Sequence, residues 1–234
     1  LGKTVITLTA INDLKYNRFA VSKVLVVAPK KVAEITWSKE AAKWDHLKLL
    51  RVVPVLGTAA KRIKALNTPA DVWVINRENV PWLVEYYRNA WPFDMVVVDE
   101  STKLRGLRVS MQTHKKSGKR FLTGQGASRA KDLARVAHTK VKRWVNLTGT
   151  PALAGLEALW GQTWFIDTGY RLGTSFTAFS QRWFRAVPGQ DATRQVIEPL
   201  PYAEAQIRNA IADVTVSIDV RDWVKISDPI VNHI

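Results

Sequence analysis

The apolar run "MVVVDES" ends in two adjacent carboxylates, Asp99 and Glu100, in a chain otherwise short of acid. A strand of this type would deliver both side chains to the carboxyl edge of a parallel sheet. There Asp99 would hold a magnesium ion, usually through water, and Glu100 would orient and polarise an attacking water. The same pair also reads as two solvated acids at a strand end. A second apolar run, "NLTGTPA", enters a tight turn at Thr148, Gly149, Thr150 and Pro151, with Thr148 49 residues beyond Asp99 (148 − 99). Thr-Gly-Thr-Pro is ordinary turn chemistry. On a strand next to the acidic one, it would also be placed to sense the state of a bound nucleotide. The third element is Gly2-Lys3-Thr4 at the start of the chain. Behind a Gly-rich segment it would close a phosphate-binding loop of the G-x-x-x-x-G-K-[ST] kind. Alone, it serves equally well as an exposed turn before a helix.

Elements able to position these residues are legible in the hydropathy pattern. "KVLVVAP" (23–29), "LLRVVPVLG", "ADVWVINREN", "FDMVVVDES" (93–101) and "KRWVNLTGTP" (142–151) read as buried strands. Between them, "KVAEITWSKEAAKW" (31–44), "TAAKRIKAL" and "VPWLVEYYRNAW" read as helices. Continuous Val/Ile/Leu strands alternating with helices imply an α/β fold with a parallel sheet covered on both faces. Ligands on such sheets bind at the carboxyl ends of the strands. After Pro151 the pattern becomes mainly helical, in "LEALWGQTWFI", "SFTAFSQRWF" and "YAEAQIRNAIADV", with Trp160, Trp164 and Trp183 at core spacings. The segments 105–130 and "VPGQDATRQVIEPLP" read as loops.

Composition narrows the function classes. The chain has 234 residues, nearly half of them hydrophobic, which is enough for a substantial core. No apolar run approaches a membrane span and no leader pattern is present, which points to a cytoplasmic protein. With no cysteine there are no disulfides or thiolate metal sites, and His46, His114, His138 and His233 lack zinc spacing. The net charge is +15, and residues 103–143 carry thirteen Lys or Arg against one acid, Asp132, for a local +12 (13 − 1). A solvated basic face is one explanation. A polyanionic partner is the better one, because phosphate backbones reward many positive charges through counterion release.

The order GKT, APKK, VVVDES, LTGTP resembles that of superfamily 2 helicases, and within them the Swi/Snf-type DNA translocases. "LTGTPALAGLEALWGQTWFIDTGYRLGTSFTAFSQRWF" is similar to the segment after the third motif in short motors encoded by tailed bacteriophages. The resemblance implies a RecA-like lobe using ATP and magnesium. Gly2, Lys3 and Thr4 would end a GLGKT-type loop, with Lys3 on the β- and γ-phosphates and Thr4 on the magnesium. Thr148, Gly149 and Thr150 would couple nucleotide state to movement. DNA contacts are implied at Lys30, Lys31 and Trp37 in "APKKVAEITW" and at Asn76 and Arg77 in "INREN". In the basic stretch they are implied at Lys103, Arg105, Arg129 and Lys131. The partner would be duplex DNA bound without regard to sequence. Thr102 and Ala154 depart from the family, which often has His and Asn there.

The implied organisation is a RecA-like core over 1–152, truncated at its start, with a basic insertion at about 103–140. A mainly helical extension follows over 153–220, then a linker over 221–234 towards a second RecA-like lobe outside the sequence. On this reading the isolated chain binds DNA but hydrolyses ATP at background. The rival reading is a DNA-binding or annealing module with a degenerate nucleotide site.

Overall fold

The computed structural model describes residues 2–115, 117–118, 120–126, 128–188 and 195–218. In chain order the strands are β1 (Val24–Ala28), β2 (Val52–Val55), β3 (Val72–Asn76), β4 (Met95–Asp99), β5 (Arg108–Thr113), β6 (Arg120–Gln125), β7 (Arg143–Leu147), β8 (Phe184–Pro188) and β9 (Gln195–Pro199). The helices are α1 (Lys3–Asn12), α2 (Trp37–Lys43), α3 (Ala59–Asn67), α4 (Val80–Tyr87), α5 (Ser128–Ala137), α6 (Ala158–Asp167), α7 (Phe176–Trp183) and α8 (Ala203–Ile211).

Five strands form one parallel sheet in the order β2-β3-β1-β4-β7, the α/β RecA-like arrangement. Strands β1, β3 and β4 are buried along their whole length, which is why they read as unbroken apolar runs. Their side chains alternate between two cores. Leu25, Val27, Trp73, Ile75, Val96 and Val98 enter the larger one, with Leu83 of α4, Leu133 of α5, and Trp160 and Trp164 of α6. Val24, Val26, Val72, Val74, Met95 and Val97 enter the smaller one, with Leu8 and Ile11 of α1 and Trp37 of α2.

Two acids fix the amino edge of the sheet. Asp94 accepts from the backbone N–H groups of Ser22 and Lys23, at 2.9 and 3.0 Å, just ahead of β1. Asp71 accepts from the Arg51 backbone N–H at 2.8 Å and pairs with Lys15 at 3.3 Å. Burial acts to raise the Asp71 carboxyl, but the Arg51 and Lys15 bonds hold it below the usual carboxylate range.

Two segments differ from the sequence expectation. Residues 105–130 are not one long loop: β5 and β6 form an antiparallel hairpin, and α5 begins at Ser128. Its root is buried through Leu107 and Val109, but β5 alternates only over Val109 and Met111 and β6 has adjacent Phe121 and Leu122, so the period-two signal is short. Gly124 makes the pairing possible, because its φ is 130° and a Cβ there would lie 2.0 Å from the Arg108 carbonyl oxygen. The segment after α7 likewise contains the hairpin β8–β9. Trp160, Trp164 and Trp183 are buried, as their spacing predicts. The 221–234 linker expectation lies outside the described residues.

His138, just after α5, bonds to the Trp164 carbonyl oxygen at 3.0 Å and meets the Trp164 ring edge-on. Burial pushes its imidazole below the usual value, against the Trp164 bond and the Asp167 charge. The unfolded chain therefore takes up this proton more readily than the folded one. Stability is complete above the ordinary histidine value of about 6.5 and is lost as pH falls through it towards the folded pKa. Thermal unfolding from pH 8 to pH 5 should show this loss, and His138→Gln should flatten it.

Candidate functional site

Three segments meet at the carboxyl edge of the sheet. Gly2 adopts a left-handed conformation (φ 77°) ahead of α1, and no side chain caps that helix. The first-turn N–H groups and the positive end of the helix dipole are thus left for an anion. Lys3 Nζ lies 4.0 Å from Glu100 Oε1. A Cβ on Gly149 would stand 3.8 Å from the same ammonium, so the turn after β7 borders the tip of Lys3. Within that turn the Thr150 backbone N–H donates to Thr148 Oγ1 at 3.1 Å. Thr4 is half-buried in the first turn of α1.

Asp99 follows Met95 and Val97 in the pleat, so it emerges on the α1–α2 face, beside Lys3 and Trp37. It is buried, and burial pushes its carboxyl above the usual range. The Glu100 backbone N–H opposes this by donating to Asp99 Oδ1 at 3.0 Å, the Glu100 charge adds to it, and the Lys3 charge opposes it. The Trp37 indole N–H lies close enough to favour the ionised form without closing a hydrogen bond of ordinary geometry. Glu100 has φ 54° and ψ 53°, a left-handed conformation that costs a non-glycine residue roughly 1–2 kcal/mol. Strain of this kind persists where the surroundings over-determine it.

A buried amide joins the acidic turn to the threonine turn. Gln162 of α6 accepts from Ser101 Oγ at 2.9 Å and donates through Nε2 to the Pro151 carbonyl oxygen at 2.8 Å. The Gln162 backbone carbonyl accepts from Asn146 Nδ2 of β7 at 2.8 Å. One turn of α6 thereby touches the residues following both motifs. Gly161 lets it come that close, since a Cβ there would be 2.7 Å from the Leu104 carbonyl oxygen. Sequence reading missed Gln162, although a lone amide within the apolar "LWGQTWF" was the available signal.

The cationic residues divide into groups. Arg77, Lys103 and Arg129 line a cleft of about 370 Å³ floored by Val27, Val98 and Leu133. Lys30, Arg62 and again Arg77 line a neighbouring cleft of about 590 Å³. Lys31 and Arg105 are exposed and Lys131 is half-buried, and none of the three lines either cleft. Asn76 is on the wall of the larger cleft, but its amide is engaged, donating to Glu78 Oε2 at 2.8 Å and accepting from Asn79. Trp37 corrects the expectation of a DNA contact: it is wholly buried in the smaller core, because its position in α2 faces the sheet. Glu78, which the sequence reading did not single out, lies among the cations, 3.7 Å from Arg129. Among the described residues there is no cluster of three metal-ligating side chains.

Protein p41 of Acyrthosiphon pisum secondary endosymbiont phage 1 is 45% identical over 237 residues, covering 100% of this chain. The chain spans 48% of that protein's length. Among solved structures, a nuclease-deletion mutant of the Type ISP restriction-modification enzyme LlaGI, in complex with a DNA substrate mimic, aligns with 66% of this chain and 13% of its own. The TM-score is 0.43 and the identity 18%. The SNF2-related domain profile matches residues 1–121, more than half of the 234, and the chain belongs to that family.

Proposed function

We propose that this chain is the ATP-binding lobe of a DNA-stimulated ATPase that moves along duplex DNA. The observation that carries the reading is the convergence of Lys3, Asp99, Glu100 and the Thr148–Thr150 turn at one sheet edge, beside two cation-lined clefts.

The residues present fit a magnesium nucleotide. The uncapped start of α1 and Lys3 would hold the terminal phosphates. Thr4 and Asp99 would hold the magnesium, which needs few protein ligands when phosphates supply the rest. When bound, the metal neutralises charge developing on the transferred phosphoryl group. Glu100, partly exposed beside Lys3, would orient the attacking water and receive its proton. The Lys3–Glu100 separation of 4.0 Å brings the phosphate-binding cation and the base together, as hydrolysis requires. Because these groups are all retained, a degenerate nucleotide site is the weaker reading.

Lys30, Lys31, Lys103, Arg105, Arg129 and Lys131 would meet DNA through its phosphates. Such contacts position a protein without reading sequence. A second lobe of the same polypeptide would complete the motor and supply an arginine finger, worth roughly 10³–10⁵ in rate.

In the complete polypeptide, Glu100→Gln should retain ATP binding and lower DNA-stimulated turnover by about 10²–10⁴, the usual worth of a positioned base. Lys3→Ala should weaken nucleotide binding itself. Phosphate release and nucleotide titration check both, and normal turnover in the two variants overturns the site.

DNA affinity should fall steeply with salt, with a log–log slope of about −0.9 per phosphate neutralised. The triple change Arg105→Glu, Arg129→Glu, Lys131→Glu should flatten it. An unchanged slope places the DNA track elsewhere on the surface.

Gln162→Leu should destabilise the fold by about 1–3 kcal/mol, because the Ser101 hydroxyl and Pro151 carbonyl lose their partner. Denaturant unfolding measures this loss.

A further inference from the structure

Arg77 follows directly on β3, yet its guanidinium reaches the end of β4. Nη2 donates to the Asp99 carbonyl oxygen at 3.0 Å. β3 and β4 are not neighbours, since β1 lies between them, so the side chain spans the carboxyl end of an intervening strand. The same side chain lines both cation-lined clefts, one beside Lys103 and Arg129, the other beside Lys30 and Arg62. Among the described residues, the bond to Asp99 is the only one its five N–H donors make, and Nε is buried without a partner.

The bond falls on a special peptide. The carbonyl that Arg77 holds belongs to the same planar unit as the Glu100 N–H, which donates to Asp99 Oδ1. One plane is thus gripped at both ends, by a cleft-lining guanidinium and by the buried carboxylate. Because the unit is rigid, moving its carbonyl must also move its N–H. That rotation changes the bond to Asp99 and the left-handed backbone that places Glu100. The cations of the clefts are partly paired from within the protein. Glu78 puts a carboxylate among these cations, near Arg129 and within the field of Arg77.

We infer that Arg77 is a positioning residue that carries phosphate occupancy of the clefts to the catalytic turn through the Asp99–Glu100 peptide. The inference rests on the DNA-stimulated ATPase reading above. A DNA phosphate meeting the guanidinium fixes its orientation, and with it the carbonyl it holds. In this role Arg77 acts through the Asp99–Glu100 peptide rather than on the reacting atoms. Stimulation by DNA then follows from an ordered Glu100 rather than from a new chemical group.

The test uses Arg77→Gln and Arg77→Lys in the complete polypeptide, with turnover measured without DNA and with saturating duplex DNA. Lysine keeps the stem and charge, so the cleft stays packed. As a point charge it lacks the planar fork that can grip a carbonyl and a phosphate together. The ratio of stimulated to unstimulated kcat should fall at least about ten-fold in both variants. The DNA concentration for half-stimulation should rise less than ten-fold in both variants, with a salt slope shallower by about 0.9 in Arg77→Gln, as for one lost phosphate contact, and unchanged in Arg77→Lys, which keeps the charge. An unchanged ratio at saturating DNA overturns the inference. A general structural lesion gives that result, lowering both rates alike, and so does a mere DNA contact, cured by more DNA. Glu100→Gln separates the two levels. If it abolishes turnover while the Arg77 variants are stimulated normally, only this inference fails. If it leaves turnover intact, or the unaltered protein shows no stimulation, the ATPase reading fails and the inference with it.

Discussion

The position of Asp99 depends on the parallel register of β4 between β1 and β7. Val98 pairs with Val27 on one side and Asn146 on the other, and Asp99 pairs with Leu147. Strand side chains alternate faces, so a one-residue slip would send Asp99 towards the larger core and away from Lys3. Asp94 and Asp71 oppose such a slip from the far edge, where they bind the backbone ahead of β1 and β2. Each of those acids is satisfied by several N–H donors. Asp99 has its own neighbour's N–H and a distant ammonium, and burial pushes its carboxyl up, whereas the bonds to Arg51 and Lys15 hold Asp71 below the usual range despite burial. The two buried acids of this sheet are thus used in opposite ways, Asp71 fully bonded where it fixes register and Asp99 under-bonded where, under the proposed function, a metal would complete it.

The two sides of the sheet divide the work. The α1–α2 side supplies Lys3 and the apolar wall behind Asp99. The α4–α6 side supplies the attachments that set the turns following β4 and β7. α6 is buried almost all round, so a polar side chain within it needs internal partners, and Gln162 finds them in backbone and hydroxyl groups of both turns. Gly161 matters for the same reason, since any larger residue would lift α6 from the Leu104 carbonyl.

Much of this was legible in the sequence for a physical reason. Strands buried on both faces leave continuous apolar runs, so β1, β3 and β4 appear wherever Val, Ile and Leu cluster, and Asp99 and Glu100 fall at a strand end by inspection. The hairpin β5–β6 was not legible, because its few apolar residues are set among cations, polar residues and glycines, so no sustained two-residue period stands out. Trp37 was misread because residue type does not tell which face of α2 meets the sheet. Arg77 was nominated through the resemblance of "INREN" to a family segment, but its bond to the Asp99 carbonyl crosses an intervening strand. Contacts between segments distant in sequence leave no local pattern, and the Gln162 bridge is another of this kind.

The hydrogen bonds and ion pairs at the carboxyl edge fall into two strengths. The Lys3–Glu100 and Glu78–Arg129 pairs are about half exposed and near the outer limit of an ion pair, at 4.0 and 3.7 Å. Pairs of this sort contribute little and exchange easily with solvent or another anion. The bonds of Arg77 to the Asp99 carbonyl and of Gln162 to the Pro151 carbonyl are shorter, partly buried and directed at backbone. Under the proposed function this difference has a direct consequence. An incoming phosphate displaces a weak carboxylate partner at low cost, while the backbone that places Glu100 stays tied to the side chain that senses the exchange. A surface made only of firm pairs would resist the polyanion, and one made only of weak pairs would have no path inward. Arg77 belongs to both sets, because its guanidinium lines the exchangeable clefts and holds the fixed carbonyl.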